Sequence, residues 1–266
     1  MLRTRGTRLI ASRALVLVVA SLLLLVGAAG AADIKVMISG GFSSAYRDLT
    51  PEFERTTRHN LVTARGSSMG GTPEAIPNRL QRGEPVDVLI MVGDALDELI
   101  KQGKVMAGSR VDLARSNIGM AVRAGAPKPD IGSVDAFKRV LLEAQSVAYS
   151  DSASGVYVST VLFQRLGIAD RMKGKSKMIA GEPVGAVVAR GDAEFGFQQI
   201  SELLPVRGID YVGPLPPEIQ KVTVFSAGIA VGAKEPDAAR ALLKFLASPV
   251  AAAAITKSGL EPVTAK

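Results

Sequence analysis

Ser150-Asp151-Ser152-Ala153-Ser154-Gly155-Val156-Tyr157 is the stretch on which the fold of this chain turns. An apolar run ends there in small, hydroxyl-rich residues, and these open into the periodic apolar positions Val156, Leu162, Phe163 and Leu166 of a helix. The free backbone N–H groups of a helix start, with the positive end of the dipole behind them and serine hydroxyls beside them, hold a carboxylate or oxyanion without a cationic side chain. Simple N-capping is the competing job for Ser152 or Ser154. What favours a site is that the front of the chain repeats the arrangement.

There the strand Ile34 to Ile38 runs into Ser39-Gly40-Gly41-Phe42-Ser43-Ser44, followed by a helix from Ala45 to Thr56 with Ala45, Leu49 and Phe53 on one face. A second strand, Asn60 to Ala64, runs into Arg65-Gly66-Ser67-Ser68-Met69-Gly70-Gly71 and a helix through Ile76 and Leu80. Val86 to Val92 reads as a buried strand, with Asp94 capping the helix after it. Repeated strand, loop and helix is the pattern of an α/β protein with a parallel sheet covered on both faces. Such sheets bind ligands at their strand C-terminal ends, where the two glycine- and serine-rich loops lie. Neither loop carries the Gly-Lys-Ser/Thr of a nucleotide phosphate loop or a dinucleotide fingerprint. No Lys or Arg stands inside the three loops except Arg65 at an edge, so neutral donors are expected to carry the anion.

After the strand Asn117 to Arg123, the stretch Ala124-Gly125-Ala126-Pro127-Lys128-Pro129-Asp130 breaks the pattern and the same grammar restarts. A helix Val134 to Glu143, a strand Ser146 to Tyr149, a strand Lys177 to Ala180, a helix Val184 to Ala189 and a strand Phe195 to Gln198 follow. Lys221 to Val231 is a long apolar strand, Asp237 to Leu246 an amphipathic helix, and the alanine-rich Val250 to Thr256 a close-packed terminal helix.

Residues 1–32 are set apart as a leader. Arg3, Arg5, Arg8 and Arg13 precede an unbroken apolar run from Ala14 to about Ala29, and Gly30-Ala31-Ala32 supplies the small residues of a cleavage site. Export to the periplasm through a cleaved signal peptide is expected. The chain has 32 Lys+Arg and 25 Asp+Glu; without the four leader arginines 28 face 25, a net charge of +3, so basicity gives no argument for nucleic acid. Absence of cysteine excludes a disulfide framework, a thiolate zinc site and a Cys nucleophile. His59, the one histidine, sits in the polar stretch Arg55 to Asn60 and is expected at the surface. An exported serine hydrolase using Ser67 or Ser154 has scarcely a base, and neither serine stands at the centre of a Gly-x-Ser-x-Gly elbow.

The order of segments resembles the substrate-binding proteins of ATP-driven (ABC) importers, specifically the molybdate-binding-protein-like group. The resemblance rests on Gly40-Gly41-Phe42-Ser43-Ser44-Ala45, Gly66-Ser67-Ser68, Gly83-Glu84-Pro85-Val86-Asp87-Val88, Ser154-Gly155-Val156-Tyr157, Val188-Ala189-Arg190-Gly191-Asp192 and Ser258-Gly259-Leu260-Glu261-Pro262. It implies a type II periplasmic-binding-protein fold, two α/β lobes joined by two crossing strands. The first lobe would be residues 33–118 plus 228–266 and the second 119–227. It also implies an anion site between the lobes, with Ser67 and Ser68 in the first and Ser154, Gly155, Tyr157 and Val188 in the second. Two positions depart from the group: an expected serine aligns with Gly41, leaving Ser43 nearby, and an expected tyrosine aligns with Gln199.

The expected function is therefore capture of a small anion, molybdate or tungstate by resemblance, and its delivery to an ABC membrane permease by a monomer that is not an enzyme and holds no metal or cofactor. A small organic carboxylate, recognised with help from Gln198 and Gln199, or a ligand-sensing role, are the alternatives on the same fold.

Overall fold

The computed structural model describes residues 30–263; residues 1–29, most of the expected leader, and residues 264–266 lie outside the described residues. Ile34, Val36 and Ile38 are buried in Asp33–Ile38 (β1), which pairs in parallel with Asn60–Arg65 (β2) on one side and Val88–Val92 (β3) on the other. All five residues of β3 are buried, as a strand covered on both faces requires. The first sheet continues through antiparallel Thr223–Ile229 to Val111–Ser116 (β4) and the short Glu261–Pro262. One residue, Asn117, separates β4 from Ile118–Arg123 (β5), which belongs to the second sheet.

In the second sheet Val147–Ser150 (β6) lies parallel between Ser176–Ile179 (β7) and Phe195–Gln199 (β8), while β5 runs antiparallel to β8 and to Ile209–Pro214 (β9). The chain then returns to the first sheet in Thr223–Ile229 (β10) and ends its described part in Glu261–Pro262 (β11). Each sheet is thus mixed rather than all-parallel. In each, the antiparallel strands include those entered from the other sheet: β5 in the second, β10 in the first. The two passages are the expected crossing connections. The second lies before Thr223, since β10 pairs along its length with first-sheet strands; a lobe boundary at residues 227/228 would cut that strand.

Helices cover the sheets because their apolar faces match. Leu96 and Leu99 of Gly93–Lys101 pack with Met37, Leu89 and Met91 of the first sheet. Phe137 of Val134–Glu143, capped by Ser133 accepting from the Ala136 N–H, meets Phe197 of β8 edge-on at a ring separation of 5.7 Å. The alanine-rich terminus is a 3-10 turn, Pro249–Ala251, followed by the helix Ala252–Lys257. His59 is buried rather than exposed: its ring lies 6.3 Å from that of Phe53, which also meets Phe245.

Candidate functional site

β1, β2, β3, β6 and β8 all point their C-terminal ends at one cleft of about 480 Å³. Ser39-Gly40-Gly41 follows β1, Gly66-Ser67-Ser68 follows β2, Asp151 to Ser154 follow β6, and Ile200–Leu203 is a helical turn following β8. The first-sheet wall presents Ser39, Gly41, Ser43, Ser67 and Ser68, and the second Ser154, Gln198 and Gln199. Six of the nine positions expected from sequence therefore line one cleft: Gly41, Ser43, Ser67, Ser68, Ser154 and Gln199. The other three lie apart from its lining. Gly155 is packed against the backbone of Ser150, Tyr157 donates its hydroxyl to the Ile219 carbonyl at 2.8 Å, and Val188 is buried among Ile179, Val184 and Val187.

Hydrogen bonds separate the serines that already have a protein partner, some only as acceptors with their O–H still free, from those that have none. Ser43 Oγ donates to the Ser39 carbonyl at 3.0 Å, Ser68 Oγ accepts from the Val92 N–H at 2.9 Å, and Ser150 and Ser154 share a bond of 3.1 Å. Ser152 stands at the start of the helix Ala153–Tyr157 without a side-chain capping bond, and Ser154 pairs with Ser150, so capping accounts for neither. Among the described residues, six buried side-chain polar atoms lack a hydrogen-bond partner, and five of them belong to cleft residues: Ser39 Oγ, Ser67 Oγ, Asp151 Oδ2, Gln199 Oε1 and Ser201 Oγ. Buried polar atoms are otherwise satisfied in folded proteins, so this clustering singles out the cleft as the candidate ligand site.

Close packing explains the departure at Gly41 and the glycine beside it. A Cβ at Gly41 would run into the Phe225 ring, which forms part of the cleft lining, so a serine there has no room. A Cβ at Gly40 would overlap Glu202 Oε1. Gln199 Nε2 donates to Thr223 Oγ1 at 3.0 Å, tying the end of β8 to the start of β10.

Sequence reasoning missed the charges. Arg47, on the helix Ser43–Thr57, joins Arg65 at the cleft, so donors there are not all neutral. Facing them are carboxylates. Burial pushes the pKa of Glu202 up to about 7; the Gln198 amide pulls it down and the negative charge of Asp151 pushes it further up. Burial likewise raises Asp151, partly offset by a bond to its own backbone N–H. Glu202 reads in sequence as one polar position in a short helical turn; its place directly after a strand end was the available signal.

The family model for bacterial extracellular solute-binding proteins matches residues 34–261. The chain belongs to the bacterial extracellular solute-binding protein family. The aconitate isomerase of a Pseudomonas species is 55% identical over 231 residues, spanning 87% of this chain and 88% of that protein. The molybdate-binding protein ModA of Azotobacter vinelandii is 28% identical over 249 residues, 89% of this chain and 92% of that one. A solved structure of the Azotobacter vinelandii periplasmic molybdate-binding protein superposes with a TM-score of 0.69 at 22% identity, covering 88% of this chain and all of that one, which places the fold among two-lobed solute-binding proteins. The expectation that a solute-binding chain of this kind is no enzyme is overturned: a relative 55% identical over 231 residues is an isomerase by name.

Proposed function

We propose that this protein is an exported isomerase that interconverts the cis and trans forms of aconitate, or a close tricarboxylate, in the cleft between its two sheets. The carrying observation is the 55% identity to aconitate isomerase across 87% of the chain. The cleft chemistry supports it. Arg47 and Arg65 offer charge-assisted bonds to carboxylates, and Ser67 and Ser39 hydroxyls offer further donors. A space of about 480 Å³ falls within the range of roughly 300–1,000 Å³ usual for organic ligands and exceeds what one tetrahedral oxyanion fills. Export through the cleaved leader, residues 1–32, belongs to the same reading. Proton NMR of the purified protein with cis-aconitate tests it: the trans isomer accumulates, and cis-aconitate left unchanged at micromolar enzyme over hours overturns the assignment.

One observation favours a second reading, capture of a molybdate- or tungstate-like oxyanion for an ABC permease. The hydroxyl set Ser39, Ser67 and Ser68 suits such an anion, and the 28% identical relative is a molybdate-binding protein. Isothermal titration separates the two: this reading requires tight molybdate binding that trans-aconitate does not displace.

A further inference from the structure

Interconverting cis and trans forms of a substituted alkene requires the π bond to be interrupted. Addition of a thiol is closed to a chain with no cysteine, and the buried His59 is not among the residues lining the cleft. Aconitate offers another way, since its methylene carbon is both allylic and next to a carboxylate, which makes its C–H the acidic one.

Glu202 is the cleft carboxylate held for that proton by a neutral partner, whereas Glu182 is tied to Arg190. The Val184 N–H donates to Gln198 Oε1 at 3.1 Å, which fixes the amide so that Gln198 Nε2 donates to Glu202 Oε1 at 3.1 Å. On its other side the same oxygen lies against the backbone of Gly40, where a side chain has no room. Glu202 makes no ion pair among the described residues, so no cation diminishes its basicity. Asp151 is the charged group that acts on it, and its negative charge adds to the burial that raises the Glu202 carboxyl.

We infer, building on the isomerase reading, that Glu202 is the base that carries out a 1,3-allylic proton shift on the bound tricarboxylate. Its carboxylate takes a proton from the methylene carbon, and the C–H electron pair enters the allylic system, where the flanking carboxylates delocalise the charge. The glutamic acid then returns the proton to the former vinyl carbon, and the double bond moves to the other arm. Atoms and electrons balance without an oxidant or cofactor. The bound conformation of the arm that was the methylene sets whether the new double bond is cis or trans.

Glu202→Gln keeps the shape and the bond to Gln198 and removes the base. In D₂O, wild-type protein with cis-aconitate produces trans-aconitate and exchanges methylene protons for deuterium. The Glu202→Gln variant loses both by about 10²–10⁴-fold, as loss of a general base does, while calorimetric affinity for trans-aconitate stays within tenfold of wild type. Glu202→Asp, with the carboxyl withdrawn, retains partial exchange and guards against a folding artefact. If wild type isomerises and Glu202→Gln keeps its rate and exchange within tenfold, or if Asp151→Asn abolishes them while Glu202→Gln does not, Glu202 is not the base. A wild type that binds trans-aconitate but never isomerises it overturns the isomerase reading itself, a result distinct from either.

Discussion

The two walls of the cleft are built from opposite chemistry. The first-sheet wall gives mostly donors, Arg47, Arg65 and the hydroxyls of Ser39, Ser67 and Ser68, against one carboxylate, Glu74. The second-sheet wall gives Asp151 and Glu202, both with raised pKa, together with the amides of Gln198 and Gln199. A cleft made only to hold an anion gains nothing from carboxylates, because like charges repel and each buried carboxyl costs desolvation. One wall therefore suits binding and the other suits proton chemistry, and perturbed carboxyls in a cleft are what such chemistry uses.

That division predicts a kinetic split. The largest effect is the loss of turnover in Glu202→Gln, with affinity kept. Arg47→Ala combined with Arg65→Ala should do the reverse, weakening tricarboxylate affinity roughly 10- to 100-fold through lost charge-assisted bonds while kcat stays within a few-fold. Both arginines are exposed enough to be screened, so the wild-type affinity should also fall between about 50 and 500 mM salt and the double variant's should not. Steady-state kinetics with salt titrations reads this, and a kcat collapse in the arginine variant would dissolve the distinction between the walls.

Protonation offers a cut confined to the second wall. Glu202 holds its proton up to about pH 7 when folded, against a usual value of 4.5. The folded state thus binds more protons at this group than the unfolded chain does between those values, so the contribution of Glu202 to stability is greatest below about 4.5 and declines as pH rises toward 7. Asp151 acts in the same direction. The decline should be on the order of 2 kcal/mol between pH 4.5 and 7.5 in the ligand-free protein, and Glu202→Gln should remove most of it. Urea unfolding at several pH values measures it. Isomerisation runs the other way, rising as Glu202 loses its proton near pH 7, because the carboxylate is the base.

The walls were unequally legible in the sequence. Glycine and serine directly after an apolar run announce a strand end and a binding loop, so Gly41, Ser67, Ser68 and Ser154 were readable. Arg47 was not, because on an amphipathic helix an arginine looks like any solvated residue, and only the packing of Ser43–Thr57 turns it to the cleft. Glu202 was hidden because its raised pKa arises from burial that only the fold supplies, with a further push from Asp151, fifty-one positions away. The strands Val111–Ser116 and Ile209–Pro214 escaped for a related reason. β9 is partly exposed along most of its length and β4 carries Asp112 and Arg115, so neither shows an apolar run, and each is fixed by its antiparallel partner. The crossing architecture was legible only through the family resemblance.

The smallest effect sets one serine against another across the cleft. Ser67 Oγ is buried without a protein partner, whereas Ser154 Oγ shares its bond with Ser150. Removing an unpartnered hydroxyl costs the ligand-free protein nothing in hydrogen bonding, and removing a paired one leaves the other half exposed to the full desolvation penalty. Ser67→Ala should therefore leave ligand-free stability unchanged within about 0.5 kcal/mol and weaken tricarboxylate binding by about 1 kcal/mol, the net worth of one hydrogen bond. Ser154→Ala should show the opposite balance, destabilising the ligand-free protein by roughly 1 kcal/mol and changing affinity less. Thermal melts and calorimetric titrations of both variants read the contrast directly. If Ser154→Ala instead costs affinity and spares stability, the second wall also binds through its hydroxyls, and the division of labour narrows to Asp151 and Glu202 alone.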